Sequence, residues 1–190
     1  MKKLLAMALA LVMALGVTTM AWAEEEGEAT SGKKIAKVND TEYSSFDEVV
    51  KALNQLPNNV QATLTLLDDV TDADMTIHYA SDSATGMYLL NLDLNGHTFA
   101  GKLVKTHDLT VKDSSDGPKG TAHFSYVECN VLTLESGTVT IDDAAIDHTT
   151  IVTNANVTIN NGEFKNRNHE KAIDKQEGSG SVTVNGGEFW

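Results

Sequence analysis

Hydrophobic and polar positions along this chain fall into two patterns. From about residue 60 onward apolar residues alternate with polar ones in short runs broken by Asn, Asp, Gly and Ser. Before that, one stretch follows helical spacing. In the helical stretch Phe46, Val49, Val50 and Leu53 fall on one face, with Leu56 close by, and Ser45-Phe46-Asp47-Glu48 forms a capping box. Pro57-Asn58-Asn59 stops it, so one amphipathic helix is predicted over 45–56. Alternation from Val60 to Leu67 predicts a strand that Asp68-Asp69 ends. Met75–Ile77, Met87–Leu94, Leu103-Val104, Leu109–Val111 and Ala122–Val127 read as further strands. Asn95-Gly96 and 113–118 carry turn chemistry.

Three later segments share one pattern: Leu132-Thr133-Leu134-Glu135-Ser136-Gly137-Thr138-Val139, Val157-Thr158-Ile159-Asn160-Asn161-Gly162-Glu163-Phe164 and Val182-Thr183-Val184-Asn185-Gly186-Gly187-Glu188-Phe189. Their starts, at 132, 157 and 182, are 25 residues apart. A fixed period with a short alternating strand in each copy predicts stacked β-coils rather than a helical array. The expected fold is all-β: a right-handed parallel β-helix of ~25-residue coils with one N-terminal α-helix capping the first. The columns Thr133/Thr158/Thr183 and Asn160/Asn185 are expected to form polar ladders between coils. Ile159 is expected inside, between Leu134 and Val184. Leu92, Leu109 and Leu132 are spaced by 17 and 23 residues, which leaves open one irregular coil or two.

The first residues change the picture of where the protein works. Lys2 and Lys3, an uncharged apolar run to about Met20, and Ala21-Trp22-Ala23 before Glu24-Glu25-Glu26 read as a Sec-type signal peptide over 1–23. Residues 24–34 read as a disordered linker, 35–69 as the cap helix and first strand, and 70–190 as the coils. The localisation expected is secreted, extracellular or at the cell surface. Losing 1–23 lowers the basic residues from 14 to 12 against 27 acidic ones, so the formal charge moves from −13 to −15. Such a chain is a poor partner for nucleic acid or an anionic membrane, and suits cations or neutral glycans. Cys129, the only cysteine, excludes a disulfide within the chain and reads as a small buried apolar residue.

The run Leu92-Asp93-Leu94-Asn95-Gly96-His97-Thr98, the run Leu109-Thr110-Val111-Lys112-Asp113-Ser114-Ser115 and the Gly-Glu-Phe repeats resemble exported β-helix proteins of Gram-positive, often gut-dwelling, bacteria. Val38-Asn39-Asp40-Thr41-Glu42-Tyr43 and Leu66-Leu67-Asp68-Asp69-Val70 resemble their N-terminal region. The resemblance covers about 37–190. It implies a pectate-lyase-like right-handed β-helix and a surface or adhesin-like role.

A polysaccharide lyase on such a fold needs carboxylates that hold calcium near a basic residue. Candidates are Asp68, Asp69, Asp72 and Asp74, or Asp142 and Asp143, with Arg167, Lys165 and Lys171 as the basic residues. They show no EF-hand loop and no calcium nonapeptide. Histidines 78, 97, 107, 123, 148 and 169 show no metal-ligand spacing. Phe164 and Phe189 read as core stacking, and Trp190 equally as core or as a sugar-stacking surface. No catalytic, cofactor-binding or metal residues are assigned; Ca2+ has no supporting motif. The function expected is a non-enzymatic binding or surface-interaction module, glycan-binding or adhesin-like. The alternatives are a polyuronide lyase or hydrolase, or a structural fragment of a longer surface protein. Self-association through the last coil, with its exposed β-edge, is also expected.

Overall fold

The computed structural model describes residues 32–57, 60–77, 89–166 and 171–190, the side chains of 105–107 excepted. The expected signal peptide and most of the expected linker lie outside the described residues; Gly32 to Lys34 are exposed coil. Lys33–Trp190 form one compact unit. It contains the buried apolar residues found among the described residues. No helix among the described residues is long and apolar enough to cross a membrane.

Helix α1 spans Phe46–Asn54, with Ser45 as N-cap. Ser45 Oγ accepts from Glu48 N at 3.3 Å, and Glu48 Oε2 accepts from Ser44 N at 3.1 Å. Ser45 caps the helix as its spacing dictates, while the return bond of the box goes to Ser44 N, one residue before the N-cap. Val49 and Leu53 are buried, and Phe46 meets Phe99 with ring centroids 6.1 Å apart.

The rest is strand. β1 (Ala36–Val38), β2 (Thr41–Tyr43) and β3 (Gln61–Leu66) begin the sheet, with β1 antiparallel to both others. β4 (Val70–Thr76), β5 (Leu89–Asp93), β6 (Thr98–Lys112), β7 (Thr121–Leu134), β8 (Thr138–Ile141), β9 (Ala144–Ile146) and β10 (Thr150–Val152) follow. β11 (Asn156–Ile159), β12 (Glu163–Phe164), β13 (Ile173–Lys175), β14 (Ser181–Val184) and β15 (Glu188–Phe189) complete it. From β3 on, every pairing is parallel, so the sheet as a whole is mixed.

Parallel register sets the core. Ala62, Leu90, Leu109, Leu132, Thr150 and Ile173 stand in one column, and Leu64, Leu92, Val111, Leu134, Val152 and Lys175 in the next. A second run of strands stacks Phe99, Ala122, Val139, Val157 and Val182, and beside them Gly101, Phe124, Ile141, Ile159 and Val184. A third stacks Cys129, Ile146, Phe164 and Phe189. Side chains alternate along each strand, so every second residue of a strand points inward and register partners stack on the same face. Buried apolar contact between successive strands is the main cohesion, at roughly 25 cal/mol per Å² removed from water.

Three expectations need correction. Ile159 stacks between Ile141 and Val184, and Leu134 belongs to a different column beside Val152. Thr158 and Thr183 likewise stack with Thr140, while Thr133 lies beside Thr110 and Ile151. The 25-residue period holds only from Val157 to Val182; the steps from Ala122 to Val139 and from Val139 to Val157 are 17 and 18 residues. Parallel stacking constrains the interior residues, and the polar corners between strands are free to differ in length. Leu90, Leu109 and Leu132 occupy three successive strands of one column, so the early region holds separate turns of chain rather than one irregular one.

Candidate functional site

The third run of strands carries an outward column that alternates with its buried one. Register places Val104, Glu128, Ala145, Glu163 and Glu188 in line. Tyr126 and Asp143 lie beside this column. Tyr126, Asp143, Ala144, Ala145, Asn161, Gly162, Glu163 and Glu188 line a cleft of about 480 Å³.

Each part of the cleft has a local cause. Tyr126 and Glu128 are both outward residues of β7, two positions apart, and Tyr126 Oη donates to Glu128 Oε2 at 3.2 Å. Burial pushes the Tyr126 phenol up from its ordinary value, and the negative charges of Glu128, Asp143 and Glu163 push it further. The phenol is therefore a stable hydrogen-bond donor or acceptor at neutral pH. Asp143 ends the turn after β8, where its Oδ1 accepts from Ala144 N at 3.0 Å. Ala145 is the small residue of the column and leaves space between Glu128 and Glu163. Gly162 has φ +130, and a Cβ there would stand 2.6 Å from Ala144 N. Its missing side chain keeps the floor open.

Glu163 and Glu188 are direct neighbours on adjacent strands. Like charges in that position oppose sheet formation. Lys165 offsets part of this, with Nζ 2.5 Å from Glu163 Oε2. The wall of the cleft is still a set of carboxylates with one phenol and one amide, all acceptors or two-way groups except the Asn161 amide nitrogen.

The residues named from sequence are mostly elsewhere. Asp68 pairs with Lys33 at 2.6 Å. Asp69 accepts from Thr98 N at 2.8 Å and lies 3.6 Å from His97. Asp72 sits at φ 58, and the register between β4 and β6 shifts between Val70 and Ala73. Asp74 accepts from Thr76 Oγ1. Asp68, Asp69 and Asp74 are therefore engaged in local contacts, and the four form no metal-holding group. Asp142 belongs to an outer ladder, with His123 Nε2 at 2.6 Å and Asn160 Nδ2 at 2.8 Å, and Asn185 continues it onto Asn160 at 2.9 Å. Only Asp143, with Lys165 close by, reaches the cleft. Lys171 binds Asp174 at 2.9 Å. Arg167, His78 and His169 lie outside the described residues, as does the side chain of His107. His123 is an exposed residue within β7. Among the described residues no group of three or more His, Cys, Asp or Glu is placed to hold a metal ion.

Phe164 is buried and stacked on Phe189 at 5.1 Å and 12°, while Phe189 and Trp190 are 41% and 69% exposed. Cys129 is free and buried. Glu163 and Glu188 share one position of the Gly-Glu-Phe repeat, whereas Tyr126 and Glu128 carry no motif in the sequence. Only the strand register brings residues 126–188 to one wall. No family model matches the chain, and no curated protein or solved structure is significantly similar to it.

Proposed function

We propose that this protein is an exported, non-enzymatic right-handed parallel β-helix module, adhesin-like in role, that binds a neutral hydroxyl-rich glycan in the cleft at Tyr126 and Glu163. One observation carries the reading: Glu163 and Glu188 are held side by side in register within a cleft that also holds Asp143 and Tyr126. This pairing opposes folding, so an account of it belongs to the site rather than to stability. Carboxylates accept hydrogen bonds from sugar hydroxyls, and a tyrosine ring offers a face to the pyranose. The same charges repel polyuronides, which turns selection toward neutral sugars. The resemblance to surface β-helix proteins points the same way, as does the exposed polar ladder Thr98, Thr121, Thr138, Asn156, Ser181 on the neighbouring face.

The test is titration of residues 24–190 with a neutral hexaglucan and with hexagalacturonate, followed by amide NMR. Shifts at Ala145, Gly162 and Glu163 with the neutral sugar, lost in Glu163→Gln and weakened in Tyr126→Phe, are expected. Shifts with the uronate alone, or none at the cleft with any neutral oligosaccharide of a broad panel, would reject the reading.

A second reading, a glycoside hydrolase, has one observation in its favour. Glu128 and Glu163 flank Ala145 in one column. Two strand spacings put them on the order of 9–10 Å apart along the backbone, near the separation that inverting enzymes use. New reducing ends that vanish in both Glu128→Gln and Glu163→Gln would replace the first reading with this one.

A further inference from the structure

Asparagine stands before glycine three times in this chain, at Asn95-Gly96, Asn161-Gly162 and Asn185-Gly186, and each pair sits at a corner between strands. Asparagine is a chemically labile residue, and a following glycine makes it more so. The glycine nitrogen has no neighbouring side chain to block its approach to the amide carbon. Folding then decides which pairs react. Ring closure needs a side-chain amide free to turn and a following N–H free to attack it, brought together in one geometry.

The three corners differ in this respect. At the first, both groups are engaged: Asn95 Nδ2 donates to Leu66 O at 3.0 Å, and Gly96 N donates to Asp113 Oδ2 at 3.3 Å. At the third, Asn185 Nδ2 donates to Asn160 Oδ1 at 2.9 Å, which holds the amide in the outer ladder. At the second, Asn161 is exposed. The ladder runs through Asp142 and Asn160, one residue to the side, and leaves Asn161 out of it. Among the described residues neither the Asn161 amide nor Gly162 N makes a hydrogen bond; Gly162 takes part through its carbonyl oxygen, which accepts from Glu188 N at 2.8 Å.

We infer that Asn161 is a self-modifying site, which deamidates in the folded protein and thereby turns off sugar binding in the cleft; the second part rests on the glycan reading above. Gly162 N attacks Asn161 Cγ. The N–Cγ bond forms, the Cγ–Nδ2 bond breaks, and ammonia leaves with the proton that Gly162 N gives up. Water then opens the resulting cyclic imide. Attack at Cγ leaves aspartate, and attack at the backbone carbonyl leaves isoaspartate. The balance is water in and ammonia out, with no change of oxidation state. Asn161 shares the cleft with Tyr126, Asp143, Glu163 and Glu188, and its amide nitrogen is the donor among acceptors and two-way groups. Conversion exchanges that donor for another carboxylate, so the sugar loses a hydrogen bond and the wall gains repulsion. Isoaspartate also puts an extra carbon into the main chain just before Gly162, whose backbone packs closely on Ala144.

The experiment ages residues 24–190, folded and in parallel in urea, at mildly alkaline pH. Tryptic peptides 52–102, 120–165 and 176–190 carry the three pairs separately. Mass spectrometry with fragmentation that separates aspartate from isoaspartate follows each. In the folded protein both products are expected at residue 161 roughly tenfold faster than at 95 or 185, and in urea all three pairs should convert at similar rates. Asn161→Asp, which stands in for one product, should bind the neutral hexaglucan roughly tenfold more weakly than the parent. A folded protein in which Asn161 keeps its amide as long as Asn95 and Asn185 do would overturn the inference. So would Asn161→Asp protein that binds as the parent does while Glu163→Gln protein does not. Binding unchanged in both variants would instead overturn the glycan reading, and the switch with it, while the peptide map still decides the modification by itself.

Discussion

Asn160 donates from Nδ2 to Asp142 Oδ1 at 2.8 Å, and Asp142 Oδ2 takes His123 Nε2 at 2.6 Å. The carboxylate thus joins three successive strands on the outer face. Hydrogen bonds from Asn160 and then His123 hold the Asp142 carboxyl below the ordinary carboxylate range. The folded value lies below the unfolded one, so what the ladder contributes is complete above the unfolded value. It fades as pH falls below about 4 through the folded one. His123→Ala should raise the Asp142 value toward its ordinary position, read by carboxyl NMR titration. An unchanged titration would mean that the ladder does not form in solution.

Asp113 offers a stronger case, because its side chain is buried at a corner. Burial pushes its carboxyl up, but hydrogen bonds from Ser115, Gly120 and Gly96 together outweigh that and leave it below the ordinary value. Ser115 Oγ donates at 2.5 Å and Ser115 N at 2.8 Å to Oδ1, and Gly96 N at 3.3 Å to Oδ2, which also takes Gly120 N. Asp113→Ala leaves these backbone donors unpaired and should cost roughly 2–4 kcal/mol. The stability that Asp113 supplies is present above its unfolded value and is lost as pH falls through the lower folded one. Urea melts from pH 7 to pH 3 should therefore show a gap between parent and Asp113→Asn that narrows on acidification. A gap independent of pH would remove the carboxylate from the account.

Sequence legibility follows the range of the interactions. Ser45 and Glu48 are three residues apart, and the helix they cap begins at Phe46 as the spacing requires. Asn95 and Gly96 both take positive φ, 47 and 82, as an Asn-Gly turn demands. Alternation marked Leu64, Val139, Ile159 and Phe164 as inward, and all four are fully buried. Register was the part that sequence spacing misjudged. Leu132-Thr133-Leu134 and Val157-Thr158-Ile159 look alike because each precedes a Gly-containing corner, yet they lie in different columns. The cleft was half legible for the same reason. The 25-residue step already aligned Glu163 with Glu188, but Tyr126, Glu128 and Asp143 join them only once the coil lengths before Val157 are known.

Thr150 interrupts a column that otherwise runs Ala62, Leu90, Leu109, Leu132 and Ile173, and its buried Oγ1 has no hydrogen-bond partner. A hydroxyl taken from water without compensation costs about 1–3 kcal/mol. Thr150→Val keeps the shape and removes that cost, so it should stabilise by about 1 kcal/mol in a chemical melt. Ile159→Ala removes a fully buried side chain between Ile141 and Val184 and should cost roughly 2–5 kcal/mol. A destabilised Thr150→Val would show that its hydroxyl is bonded in solution.

Cys129 is buried, and burial first, then the charges of Asp108 and Glu128, push its thiol far up. The thiolate is the reactive form, so folded protein should react negligibly with a disulfide reagent at pH 8. One thiol per chain should appear on unfolding. The labelling rate under native conditions then reports opening of β7, and rapid labelling without denaturant would contradict the packing of Cys129 against Ile146.

Gly162 joins the fold and the cleft in one residue. Its φ of +130 is reached easily only without a side chain, and a Cβ would lie 2.6 Å from Ala144 N and 2.9 Å from Ala144 Cβ. Backbone cannot move aside as a flexible side chain would. Gly162→Ala must therefore either twist residue 162 out of its conformation or push β9 away, at a cost of roughly 1–3 kcal/mol. Pushing β9 moves Ala145, which stands between Glu128 and Glu163, so the cleft changes shape with the backbone. The expected outcome is a lower melting temperature together with at least tenfold weaker binding of the neutral hexaglucan. Glu163→Gln, by contrast, relieves the repulsion with Glu188 and should leave stability equal or higher while binding is lost. A Gly162→Ala protein that melts like the parent would refute the strain at this position. A Glu163→Gln protein that binds as the parent does would detach the carboxylate wall from recognition.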